Sequence, residues 1–484
     1  GRLGFRGGFP YNGEELVRRT DRDRTLVGTV ENPEEWPMRA VRLALLCLIG
    51  WGGLVPQVRG GDLFEVYYPP SSKPGDLVLG VTYTVWIPEG REPLRGVIVH
   101  QHGCGTGACR GGATAAYDLH WQALARKWNC ALLGPSYHQQ DSENCRLWCD
   151  PRNGSDATFL RALTDLAQAS GRPELAEVPW CLWGHSGGGF WASLMQTLHP
   201  ERIVAIWFRS GTAIEAWEKG EIPRPEVPEA AFGIPCMVNP GVKERDDARF
   251  RGAWTGAERM FQFYRSKNAP MGMMLDPKSG HECGDSRYVA IPFFDACLSL
   301  RLPAPGAADK SLRPVDVSAG WLAPYLSGTA RPAAHYEGER LQATWLPSPG
   351  VAEMWSQYVS RGEIADLSPP PEPRELSAVR TARGVRLTWK AEADFDTGLA
   401  GFVILRDGRE IARVPEKPVG RFGKGLFQSM SYHDTPEKPL PRMEYVDAGE
   451  NPSTTAHYEI QAVNSLGVKS SPVAIGGVRN EPAR

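Results

Sequence analysis

No sign of charge predominates in this chain of 484 residues: 54 Lys and Arg stand against 56 Asp and Glu, a formal net charge of −2. That balance gives no pointer to a nucleic-acid partner or an anionic membrane surface, and neither is expected. A bilayer-spanning run is also missing. The apolar stretch 43–56 is too short to cross a membrane comfortably, and Gly50, Gly52 and Gly53 interrupt it. The double Cys-x-x-Cys spacing of a structural zinc site is absent, and neither a metal nor a cofactor is expected. With 53 Gly and 41 Pro, turns and linkers should outnumber long helices.

The first Met is Met38, and from it the sequence reads as a secretory signal over 38–60. Arg39 and Arg42 form the basic start, 43–56 the apolar core, and Val58 and Gly60 supply small residues near a cleavage point. Residues 1–37, rich in Arg and Glu, then read as an upstream or disordered extension. The expected location is secreted or periplasmic, with no stable membrane span once the signal is removed. Of the ten cysteines, all but Cys47 lie between Cys104 and Cys297. Cys104/Cys109 and Cys145/Cys149 are close enough for local disulfides, and the odd total of nine leaves at least one buried free thiol.

Between 61 and 302, short apolar runs alternate with amphipathic helical segments. Runs such as "RGVIVHQHG" (95–103), "CALLGPSY" (130–137) and "RIVAIWFRSG" (202–211) are almost continuously apolar, as strands buried on both faces must be. This predicts an α/β domain with a doubly wound, mostly parallel sheet. From 303 to 371 the pattern lapses into Pro, Gly and isolated tryptophans, a linker expected to pack on the catalytic domain and closing in the stiff spacer "DLSPPPEPREL". Beyond it the period becomes two, with a turn at Asp407-Gly408, so 372–478 reads as an all-β sandwich.

The chemistry centres on "VPWCLWGHSGGGF", where Ser186 stands between an apolar strand and a helix with Phe190, Leu194, Met195 and Leu198 on one face. A sharp strand-to-helix turn needs small neighbours, hence Gly184 and Gly188, and the N–H of Gly187 opens the helix where an oxyanion could bind. A serine hydroxyl needs a base. Downstream candidates are His281, His335, His433 and His457, with His199 at a helix end. His281, in "LDPKSGHECGDS", follows the last strand at the carboxyl edge of the sheet and is preferred. For the acid, Glu244 in "NPGVKERDD" is preferred, with Asp246 and Asp247 as alternatives. The second oxyanion donor is expected from the backbone of Cys104 or Gly103 in "VIVHQHGCG". In the same stretch His102 is expected to hold the loop by hydrogen bonds rather than to bind metal with His100. The polar stretch 137–155, with Tyr137 and Trp148, is a candidate pocket rim, and His185 beside the serine is counted with them as a substrate contact.

"VIVHQHGCG", "GHSGGG" and "GHE", in that order, resemble the α/β-hydrolase superfamily. "HGCG" ahead of the nucleophile is similar to secreted polyhydroxybutyrate depolymerases, feruloyl esterases and related carbohydrate esterases. The last segment resembles a fibronectin type III module, which some depolymerases carry, although the insert 415–450 departs from its compact form. The elbow is GHSGG rather than the alanine-containing form common in those depolymerases. The resemblance implies a serine esterase with Ser186 as nucleophile, His281 as base, Glu244 as acid, and the amides of Gly187 and Cys104 at the oxyanion. It implies an ester substrate, polymeric if the likeness to depolymerases extends that far. The residues alone equally fit a peptidase with the same triad, and a non-catalytic glycan- or partner-binding relative is the third reading.

Overall fold

A computed structural model describes residues 61–449 and 455–481, so the signal expected at 38–60 and the extension expected at 1–37 lie outside the described residues. Eight strands form the main sheet in the order β1-β2-β4-β3-β5-β6-β7-β8. They are β1 (Asp62–Tyr68), β2 (Val81–Ile87), β3 (Gly96–Gln101), β4 (Cys130–Tyr137), β5 (Trp180–His185), β6 (Ile203–Arg209), β7 (Cys236–Asn239) and β8 (Met271–Met273). The run β4-β3-β5-β6-β7-β8 is parallel, while β1 and β2 join antiparallel at one edge. The edge strand β1 has no counterpart among the almost continuously apolar runs from which the parallel sheet was expected. It lies half in solvent, with half-buried Phe64, Val66 and Tyr68 alternating with exposed neighbours, so it lacks the continuous apolar run of the inner strands.

The helices are α1 (Thr106–Thr114), α2 (Leu119–Trp128), α3 (Arg146–Cys149), α4 (Ser155–Ser170), α5 (Gly187–Leu198), α6 (Ile214–Glu218), α7 (Arg251–Ser266), α8 (Arg287–Arg301) and α9 (Pro349–Arg361). Alternate strand residues feed two separate cores. Val99, Leu133, Leu182 and Phe208 pack with Phe159 of α4, Trp191 of α5 and Phe261 of α7. Ile98, Leu132, Trp183 and Trp207 pack with Trp121 of α2, Phe293 of α8 and Trp355 of α9. Each such fully buried side chain contributes about 1.5–3 kcal/mol, which makes the sheet a rigid platform. The predicted doubly wound α/β sheet is therefore present, and an all-β sandwich follows it. Among the described residues no helix is long and apolar enough to cross a membrane.

Residues 303–371 add a small sheet of β9 (Trp321–Ala323), β10 (Arg331–Pro332) and β11 (Thr344–Leu346). Trp345 and Trp355 of this region are fully buried, and the indole N–H of Trp355 donates to the carbonyl of Met273 at 2.7 Å. The Pro-rich stretch is not a free spacer, because the Asp366 carboxylate accepts from Thr397 (2.6 Å) and Asn464 (3.1 Å).

The sandwich pairs one sheet of β12 (Arg374–Thr381), β13 (Gly384–Lys390), β16 (Glu444–Asp447) and β19 (Val478–Asn480) with another of β14 (Gly401–Arg406), β15 (Arg409–Val414), β17 (Tyr458–Val463) and β18 (Val473–Ala474). Its core is built from Leu387, Trp389, Phe402, Ile404, Tyr458 and Ile460, and Leu119 of α2 reaches into it. The segment between β15 and β16 lies against the α/β domain. There Arg287 of α8 is clamped by Asp118 (2.6 Å) and by Asp434 of the insert (2.8 Å), all three buried. Trp121 donates its indole N–H to the same Asp434 at 3.2 Å, and Gln428 of the insert caps the N–H of Leu119 at 2.8 Å.

Candidate active site

The turn from β5 into α5 places Ser186 at φ 52°, ψ −113°, a region that side-chain-bearing residues rarely occupy. The flanking glycines are needed because the backbone has no room. A Cβ on Gly184 would strike the Gly188 backbone, and one on Gly188 would strike the carbonyls of Gln101 and His102. Ser186 is partly exposed at the carboxyl edge of the sheet, its N–H donating to the Arg209 carbonyl at 2.8 Å.

His281 and Glu244 reach the same edge from the loops after β8 and β7. The hydroxyl of Ser186 lies 2.9 Å from Nε2 of His281, and Nδ1 of that ring lies 2.5 Å from Oε1 of Glu244. Glu244 is fully buried in a short helical turn over Val242–Asp246, where its other oxygen accepts the Gly241 N–H at 3.2 Å. The alternatives point elsewhere. Asp246 is largely exposed beside Arg245, and Asp247 caps the N–H groups of Arg249 and Phe250. Phe250 stacks flat on His281 with ring centroids 3.9 Å apart, so one face of the imidazole is shielded from water.

The loop bearing His281 is held from below by Arg209, a buried residue with no signature in the sequence. Its guanidinium donates to the carbonyl of Asn239 (2.9 Å), the hydroxyl of Ser279 (2.7 Å) and the carbonyls of Gly280 (3.0 Å) and Glu282. Asp276, 3.8 Å from it, accepts the N–H groups of Lys278 and Ser279 and the hydroxyl of Tyr358.

Of the expected oxyanion residues, Gly187 is the first residue of α5, so its N–H has no partner within the helix. The expected local disulfides do not form. Cys104 is bonded instead to Cys145, while Cys109 and Cys149 are free and buried. This bridge lies directly over the elbow, where a Cβ on Gly187 would collide with both sulfurs. Gly103 lies against Ser186, and His102 bonds the Gly103 carbonyl through Nδ1 at 2.5 Å.

Three expected substrate contacts are corrected. Tyr137, Trp148 and His185 are all completely buried, so none forms a rim. Tyr137 and Trp148 stack at 4.5 Å, and the Trp148 indole donates to Gln139 Oε1, which also accepts the N–H of Gly105 in the loop after β3. Their aromatic area goes into supporting that loop. His185 donates Nε2–H to the carbonyl of His281 at 2.7 Å and meets Nδ1 of His433 at 2.9 Å with its own Nδ1. Burial, with His433, His281 and Arg209 adding to it, lowers the pKa of His185 far below the ordinary histidine value. Burial likewise lowers His433 to about 3. His102 is lowered to about 4 by burial, against the opposing bond to Gly103. These three rings are therefore neutral.

Sequence reasoning weighed His433 only as an alternative base to His281 and gave its neighbour Tyr432 no part, since both belong to the sandwich insert. One acidic cluster also occurs among the described residues, Asp366, Asp394 and Asp396, but the Asn464 amide already bridges the first two.

No family model and no curated protein matches the sequence. Among solved structures, the chain is similar to an S-formylglutathione hydrolase from Agrobacterium tumefaciens, at 13% identity over 46% of this chain and 89% of that one, with a TM-score of 0.30. It is similar to a ferulic acid esterase at 14% identity over 46% and 93%, with a TM-score of 0.30. An Fn3-like protein from Clostridium thermocellum matches at 21% identity over 24% and 99%, with a TM-score of 0.16. At these scores the fold rests on the strand order, and the chemistry on the distances above.

Proposed function

We propose that the protein is a secreted serine hydrolase of carboxylic esters. The observation that carries the proposal is the continuous line from Glu244 through His281 to Ser186, with hydrogen bonds of 2.5 and 2.9 Å. Ser186 attacks the ester carbonyl while Nε2 of His281 takes its proton; Glu244 holds the ring in the correct tautomer and stabilises the imidazolium. The oxyanion meets the N–H of Gly187 and that of Cys104 or Gly103. The imidazolium gives its proton to the departing alcohol. Water then attacks the acyl-enzyme, losing a proton to His281, and releases the acid and the free serine. Phe250 on the ring face supports this reading, since shielding the imidazole strengthens its bond to Glu244. The Cys104–Cys145 bridge supports an oxidising compartment.

The test is labelling with a fluorophosphonate probe, together with rates on short-chain nitrophenyl esters beside matched amides. Ser186→Ala should abolish labelling and lower ester hydrolysis by about three orders of magnitude or more. Equal rates for the parent and Ser186→Ala would end the proposal, and faster turnover of the amides would move it to the peptidase reading.

A further inference from the structure

His433 is 152 positions beyond His281 in the chain and belongs to the sandwich insert, yet it lies in the neighbourhood of Ser186. A Cβ placed on Gly103 would lie 3.2 Å from Cβ of Ser186 and 3.3 Å from Cε1 and Nδ1 of His433, so the two side chains are near neighbours. The insert is anchored there firmly. Asp434, the next residue, holds φ 59° and takes the Arg287 guanidinium on both its carboxylate (2.8 Å) and its carbonyl (3.0 Å). The carbonyl of Tyr432, the residue before, accepts the N–H of Cys283 in the loop that follows His281.

The proton positions along this contact follow from the partners. A carbonyl oxygen can only accept, so His185 carries its hydrogen on Nε2, facing the His281 carbonyl. The neutral His185 ring then has a bare Nδ1. At 2.9 Å from another Nδ1, it must receive a hydrogen from His433. The line therefore runs from His433 to His185 to the backbone of the catalytic histidine. If His433 were missing, His185 would bury an unsatisfied acceptor. It could escape by moving its hydrogen to Nδ1, which would turn a lone pair toward the His281 carbonyl and push the loop away.

We infer that His433, supplied by the C-terminal sandwich, is a positioning residue of the active site, fixing His185 and through it the backbone of His281. The sandwich then completes the site rather than standing beside it. This inference rests on the serine-hydrolase reading above.

The test uses the full chain with His433→Ala, His433→Asn and His433→Gln. Asn places an amide N–H at the position of Nδ1, whereas Gln places it nearer that of Nε2. His433→Ala and His433→Gln should lose about tenfold in kcat, the worth of one buried acceptor left open. KM should change by less than about twofold, and His433→Asn should recover kcat to within about twofold of the parent. Fluorophosphonate labelling rates should follow kcat. If His433→Ala does not fold, Asn against Gln carries the same comparison. Equal kcat in Asn and Gln would overturn the inference, whether both match the parent or both fall with the thermal midpoint. A parent that takes no label at all would remove the hydrolase reading and this inference with it. A parent that labels, beside a His433→Ala that labels equally fast, would remove the inference alone.

Discussion

Ser186 holds a backbone conformation that costs of order 1–3 kcal/mol, and the surrounding glycines and β6 hold it there. Its partners could be read from the sequence because each follows a strand of a fold type whose order is Ser, acid, His. Spacing brought Glu244 and His281 to the right edge, and the fold holds them within hydrogen-bonding distance. Spacing could not distinguish a buried aromatic from an exposed one. Tyr137 and Trp148 look like rim residues inside a polar stretch, but their stacking beneath the loop after β3 leaves them no surface. Arg209 and His185 were equally illegible, since each is tied to a loop far away in the chain. Glu244→Gln keeps the volume and removes the charge. It should lower ester turnover by about three to four orders of magnitude, measured as kcat at constant pH. A loss below about tenfold would mean that another group orients His281.

The loop after β3 and the stretch 137–155 are joined by the Cys104–Cys145 bridge across 41 positions. Closing that loop limits the unfolded chain by about 4 kcal/mol on chain-entropy grounds. It also fixes the backbone beside Gly103, which lies against Ser186. Cys145→Ser should therefore show two losses together: a lower denaturant midpoint and a kcat reduced by about tenfold or more. A variant that loses stability but keeps full kcat would show the bridge to be a staple only. The pairing was hidden because cysteines near in sequence suggested local bridges, and only the fold carries residue 145 over the elbow. At the same scale β1 escaped notice, since one of its faces is wet and a half-exposed strand lacks the unbroken apolar run by which the inner strands stand out.

At the scale of the whole molecule, the junction of sheet and sandwich contains rings that take up a proton less readily folded than unfolded. Burial lowers His120 to about 4, with Arg287 adding to the effect, and His120 reaches across to the Phe395 carbonyl at 2.8 Å. His102 and His433 lie at about 4 and about 3. Each folded value is below the unfolded 6.5, so below pH 6.5 the unfolded chain binds protons that the folded one refuses. Stability is complete above about pH 6.5 and should fall toward pH 4, by up to about 1.4 kcal/mol per pH unit for each ring. Asp434 acts later. Burial works to raise its carboxyl, but Arg287 and His100 hold it at about 2, so its share is lost only as pH drops from about 4 through 2. Thermal midpoints across pH 7 to 4 check this, and a flat profile would contradict it. The period-two pattern announced the sandwich, whereas its seating on the α/β domain depends on side chains of an insert that has no periodicity. That seating has a consequence for ancestry and engineering alike. Exchanging the C-terminal module for another of its kind would strip a buried guanidinium of one carboxylate, an error worth about 3–5 kcal/mol. Recombination at the Pro-rich junction would thus yield unsound chimaeras unless the new module brought a carboxylate to the same place.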